Sequence, residues 1–410
     1  MTFLRTMTVI LSAVALAAAA GAAPAETMVD GIPHIMNGAA PAGGLRTVNL
    51  EEQWRIGGDN DEDVLLGIIT RVLVDHANNI YLLDQQLSEV QVFSPGGDHL
   101  KTLGRQGDGP GEVNAPGDVV FMPDGTLGLV QIFPGKIVKL TMDGDPAGEF
   151  NPDTGGATAG GFLALVNCRA AGGNLVLSGI QIRPNEAGDG QFRRYFVRSY
   201  AGDGAQQAEY LGREVEWVFG PGFKFREIDN DFIWWRMDVA PDGRLVVCEP
   251  RYDYALSVYA PDGTLERVIE REYESWQRNE TVYKRFEAIM EAQSANFPFP
   301  VEREVEKMEQ DVADLRVAAD GSIWVLPSRQ MFEPEPGSFA TYDVFTPDGT
   351  FREQVKVVCP GDPAVDRLVF AGDGLAFQVT GFWDAVLSAS AACGGDDGAE
   401  PMSVICYKVR

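Results

Sequence analysis

The chain has 410 residues, with 33 lysines and arginines against 60 aspartates and glutamates and a formal net charge of −27. A field of that sign repels phosphates, which argues against nucleic acid or an anionic membrane surface as partner and leaves cationic groups, metal ions and basic protein patches compatible. The 5 cysteines form no C-x-x-C pair and so give no zinc-ribbon spacing.

In chain order, the first element is a leader. Met1–Arg5 ends in a basic residue, Val9–Gly21 is apolar but shorter than the about 20 residues that span a bilayer, and Ala23 and Ala25 place small residues before Glu26. This pattern predicts a secretory signal peptide cleaved after Ala25 and a periplasmic or secreted product. No later run of about 18 uncharged apolar residues occurs, so no membrane insertion is expected after cleavage. Glu26–Leu45 reads as an N-terminal tail and Arg46–Ile56 as a strand. Asp59–Asp63 begins like a calcium loop, but Thr70 stands where the bidentate glutamate is needed, so a solvated acidic turn is expected.

A repeating unit follows: strand, Asp-Gly or Asn turn, strand. It is visible in Val72–Asp84, Val119–Val130, Met237–Cys248 and Leu315–Leu326. β-branched and aromatic residues form the strands, and the turn residues supply the positive φ of a tight hairpin. Second hairpins at Val90–Leu100, Leu256–Leu265 and Tyr342–Phe351 complete the unit, and two hairpins make one four-stranded propeller blade. The template predicts blades at 68–108, 113–150, 160–213, 232–273, 312–358 and 363–410. The last lacks a strand, which Arg46–Ile56 can supply; joining both termini in one blade removes exposed sheet edges. The expected fold is all-β, a six-bladed β-propeller over residues 46–410.

Val72–Asp75, Asn79–Asp84, Val90–Pro95 and the glycine-rich Leu103–Glu112 resemble the bacterial exported six-bladed propellers related to NHL repeats. The resemblance spans the mature chain, weakest in the long, glycine-rich third blade, and implies fold more than function. Gly104–Glu112 follows a strand and lacks a Gly-Lys-Ser/Thr ending, so it reads as an interblade loop rather than a phosphate cradle.

Residues 276–312 break the repeat. Phe286, Ile289 and Met290, then Val301, Val305 and Met308, recur at helical spacing on either side of Phe297, Pro298, Phe299 and Pro300. This predicts a helical insertion of two short helices emerging where propellers bind ligands, with Trp276, Phe297 and Phe299 either covering the channel mouth or anchoring the insertion.

Counting seven residues back from each turn glycine selects Arg71, Asp118, Arg236 and Asp314, with Asp366 or Arg367 in blade six and an apolar position near Val166 in blade three. A ring of alternating charge could grip a zwitterionic or carboxylated molecule, or could satisfy itself. Propellers resembling amidating lyases ring zinc with histidines; the 3 histidines here, His34, His76 and His99, fall at tail and turn positions. Resemblance to calcium-dependent gluconolactonases and arylesterases would make Asp118, Asp314 and Asp366 ion ligands, with Arg71 and Arg236 opposing calcium. No cofactor is otherwise implied. Cys393 and Cys406 could close the last hairpin as a disulfide, with Cys359 competing; Cys168 and Cys248 read as buried thiols. The leading expectation is a monomeric, non-catalytic binding propeller for a small molecule, peptide or envelope protein; the alternative is a calcium-dependent lactonase- or esterase-like hydrolase.

Overall fold

The computed structural model describes residues 24–58, 64, 66–153, 161–295, 297–391 and 402–410. The expected leader cleavage, the Asp59–Asp63 turn and Cys393 lie wholly or largely outside these residues.

Six blades of antiparallel strands surround one axis, as the repeat predicts. Their innermost strands are Ile69–Val74, Pro116–Phe121, Phe162–Ala171, Met237–Val239, Val312–Val317 and Arg367–Ala371. The hairpin turns take the conformation the sequence implies, with φ of 62° at Asn78, 84° at Gly125 and 80° at Gly321. The Asp124 and Asp320 carboxylates accept N–H groups two residues on, fixing each turn. Strand Ile80–Asp84 shows why the inner strands read as continuous apolar runs. Ile80 and Leu82 pack toward blade six, Tyr81 and Leu83 toward blade two, and all four are buried. With a neighbour on each face, both sets of alternating side chains must be apolar.

Closure follows the expected route. Leu45–Gly57 pairs antiparallel with Ser403–Val409 in blade six, while its first residues run parallel to Phe351–Val358 of blade five. One strand thus stitches two blades. The segment expected as a tail is instead ordered: Ala25–Val29 and Ile32–Asn37 form a hairpin whose second strand runs parallel to Leu265–Arg271, the outer strand of blade four. An outer strand presents a row of unpaired backbone groups, and the Ile32–Asn37 chain satisfies them. Asn37 secures the junction: its Oδ1 accepts the Phe351 N–H at 2.8 Å and its Nδ2 donates to the Glu270 and Gly349 carbonyls, each at 3.0 Å.

The insertion holds one helix, not two. Glu280–Ser294 is helical, capped by the Asn279 side chain accepting the Val282 N–H at 3.0 Å. The second predicted helix is extended: Glu302–Glu304 pairs parallel with Lys224–Arg226. Val301 and Val305 sit four residues apart, a spacing that places them on one face of a strand as well as of a helix. Pro298 and Pro300 and an available edge decide for the strand.

Candidate functional site

At the axis the charged positions meet and neutralise each other. Asp118, 2% exposed, accepts from Arg169 at 2.7 Å and the Cys168 N–H at 3.0 Å, and pairs with Arg71 at 3.4 Å. Arg169 continues to Asp238 at 3.1 Å, and Asp238 accepts the Val317 N–H at 3.0 Å. Across the ring Asp314 contacts Arg367 at 3.2 Å and Arg316 at 3.5 Å. Burial pushes the Arg71 guanidinium down to about 10, with the adjacent Arg169 adding to the effect. The space left beside Arg71, Arg316 and Arg367 is about 10 Å³, room for one water.

Three expectations are corrected. Arg236 leaves the ring: blade four's inner strand begins only at Met237, and the Arg236 guanidinium turns to Asp231 at 2.9 Å and the Pro250 carbonyl at 3.2 Å. Asp366 also stays out, accepting the Asp362 and Gly381 N–H groups and the Gln378 amide, so Arg367 holds the blade-six position. Blade three contributes Asn167 rather than an apolar residue at the template position, its amide donating to Ser178 and the Trp234 carbonyl. Arg169, Asp238 and Arg316 were missed because each lies two residues past the template position; strand periodicity puts those on the same face. Asp118, Asp314 and Asp366 do not converge, and among the described residues no group of three acids, histidines or cysteines is placed to hold a metal. Cys359 and Cys406 carry free thiols, so the disulfides expected at Cys406 are not among the bonds of the described residues.

The space lies above this plug. The inner strands of blades one, two, three and five each carry a β-bulge, at Thr70, Gly117, Val166 and Ala313, and these residues line a cavity of about 740 Å³. Blade three forms one wall. Its strands have 10, 11, 11 and 13 residues where blade one's have 6, 5, 5 and 5, so it projects beyond its neighbours by roughly 15 Å. Ile180, Arg193, Tyr195 and Trp217 of this extension face the cavity. The helix Glu280–Ser294 covers it with Phe286, Ile289 and Met290. Helix Phe382–Ala391, which had no sequence expectation, contributes Trp383, and Arg285 ties the two helices together through Asp384 at 2.6 Å.

Of Trp276, Phe297 and Phe299, the three aromatics expected at the mouth, only Phe297 lines the cavity. Trp276 is buried and stacks on Phe332 at 5.4 Å, and Phe299 packs on Phe219 and Phe223. Phe297 also joins Trp217, Phe223 and Phe225 in the apolar cluster that fastens the lid to blade three.

The other fastening is ionic. Glu227 accepts from Arg278 at 2.7 and 2.8 Å, from Arg251 at 2.6 Å and from the Glu306 N–H at 3.0 Å. Arg278 also reaches Glu309 at 2.8 Å and lies 3.6 Å from the Phe286 ring centroid, while Arg251 and Arg236 share Asp231. Burial would raise the Glu227 carboxyl, but the bonds from Arg278 and the charge of Arg251 hold it below its ordinary range.

Asp311 lies beside this network with no arginine bonded to its side chain among the described residues, Arg329 acting only from a distance. Burial pushes its carboxyl up to about 6, with Asp253 adding and the Ser275 bond at 3.1 Å opposing. The folded chain therefore holds a proton that the unfolded chain releases between about pH 4 and 6, and stability falls as pH rises through that window. Asp311→Asn should remove that fall, gaining about 1 kcal/mol at pH 7.5, after allowance for solvent screening, and nothing near pH 4. Urea melts of both proteins across pH 4–8 check this; parallel profiles would contradict it.

The family model of DUF5128, a six-bladed β-propeller, matches residues 59–155. A member of the DUF4221 family from Bacteroides vulgatus has a TM-score of 0.51 at 13% identity, over 88% of this chain and 98% of that chain. A luciferin-regenerating enzyme has a TM-score of 0.42 at 10% identity, over 87% and 95% of the two chains. Virginiamycin B lyase from Staphylococcus aureus has 0.39 at 8%, over 86% and 98%. No curated protein sequence matches. The chain is a six-bladed β-propeller, and at these identities the likeness is one of fold.

Proposed function

We propose that this chain is an exported binding propeller that encloses an apolar small molecule between its mouth and the lid helix Glu280–Ser294. The observation that carries this reading is the cavity of about 740 Å³, a size typical of small-molecule sites, with ten aromatic side chains in its lining. A plugged axis below and a fastened lid above make it a chamber, not a tunnel. The acids that line it, Glu227, Asp231 and Glu309, are each engaged by arginines, so none stands ready as a general base, which supports binding over turnover. The ring aspartates are likewise committed to arginines or backbone amides, which disfavours the ion-assisted hydrolase. Export is supported by the leader pattern of residues 1–25.

Titration with the neutral fluorophore N-phenyl-1-naphthylamine tests the chamber. Saturable one-to-one binding with Kd on the order of 10 μM or tighter is expected for a ligand of this size. Ile289→Trp, which fills the space from the lid side, should weaken it about tenfold or more. Non-saturable binding, or binding indifferent to Ile289→Trp, would contradict the reading.

A further inference from the structure

The charges around the chamber can be paired off. Glu227, Asp231 and Glu309 face Arg236, Arg251 and Arg278, three against three, and Arg285 meets Asp384. One cation in the lining is left over. Arg193, on the extended part of blade three, has its guanidinium carbon 4.0 Å from the Trp217 ring centroid, and no carboxylate among the described residues pairs with it. Its Nε is buried without a hydrogen-bond partner. The position comes from the register: Arg193 pairs with Ile182 and Val215 across the sheet, both apolar, so its own strands offer no counter-charge.

We propose that the ligand is an apolar, ring-bearing monocarboxylate whose carboxylate is held by Arg193; this rests on the chamber being a binding site. Trp217 fixes the plane of the guanidinium, and a planar fork so held presents paired N–H donors that match the two oxygens of a carboxylate. Aromatic walls lower the local dielectric, which strengthens a salt bridge formed there. Among the described residues only one lining cation lacks a carboxylate partner, so a second negative charge on the ligand would find none there. The aromatic lining is suited to a flat hydrocarbon body.

Pyrenebutanoate and its neutral primary amide form a matched pair of probes, identical except at the group that Arg193 would read. At pH 7.5 the wild-type protein should bind the acid about tenfold or more tightly than the amide. Arg193→Met should bring the two affinities together by weakening the acid, leaving amide binding within about twofold; Arg193→Gln provides the same test if the methionine variant melts early. Arg193→Lys, which keeps the charge but not the fork, should retain only part of the preference. Equal wild-type affinities, or a preference that survives Arg193→Met, would overturn the carboxylate assignment while leaving the chamber intact. Failure of both probes to bind would overturn the chamber reading with it.

Discussion

Arg278→Met should loosen the lid by about 3–5 kcal/mol at neutral pH. Arg278 has a fully buried side chain and, among the described residues, is the one arginine within hydrogen-bond distance of both Glu227 and Glu309, so its removal strips each acid of a charge-assisted partner. Those carboxylates keep Arg251, at 2.6 Å from Glu227 and 3.7 Å from Glu309, which is why the loss is one of the lid rather than of the whole propeller. The contact with Phe286 goes as well, and Phe286 belongs to the helix that covers the chamber. Hydrogen exchange of the Glu280–Ser294 amides should accelerate by roughly a hundredfold or more while blades one and two stay protected. The effect should shrink toward pH 4, because a buried carboxylate that has lost its arginine raises its pKa and takes up a proton. Acceleration spread evenly over all blades, or a loss independent of pH, would show that the network does not act as a latch.

The second large effect lies at the axis. Asp118→Asn keeps the oxygen that receives the Cys168 N–H but leaves Arg71 and Arg169 buried beside one another without the charge between them. A cost of about 3–5 kcal/mol in denaturant unfolding is expected. Arg169→Met should cost a similar amount by stranding Asp118 and Asp238. The double variant should cost less than the two losses added, by about 2 kcal/mol or more, because removing both partners leaves less uncompensated charge than removing either alone. Strict additivity would mean that the ring residues do not act on one another.

The contrast between axis and chamber explains what the sequence reveals and what it hides. Blade positions are legible because each Asp-Gly turn dictates a hairpin and each strand must be apolar on both faces. The closing strand is legible because a ring short of one strand needs one from the other terminus. Arg71, Asp118 and Asp314 are legible as a ring for the same periodic reason. Their mutual neutralisation is not, because Arg169, Asp238 and Arg316 enter from the next residue on the same face, and their pairing depends on how neighbouring blades are rotated. Arg236 departs because its blade's inner strand starts three residues late relative to the turn glycine, which no turn-based alignment can register.

The chamber is hidden for a different reason: it is built from what departs from the repeat. The extra length of blade three weakens its resemblance to the other blades, yet that length raises Arg193 and Trp217 to the mouth. Helix Phe382–Ala391 falls between two strands of a blade that otherwise matches the template. Val301 and Val305 satisfy two periodicities at once, and the edge of Lys224–Arg226 that decides between them is brought near only by folding. A periodic template finds the scaffold and passes over its interruptions, and here the interruptions line the site.

A crystal of the protein soaked with 2-bromonaphthalene, phased to locate the bromine, would show directly where an apolar ring binds. Enclosure of an apolar ligand at the mouth predicts an anomalous peak inside the chamber, against Trp217, Phe286 and Trp383, with the lid helix closed over it. A chamber holding only water while the bromine sits elsewhere, or a lid turned away from the mouth, would contradict it.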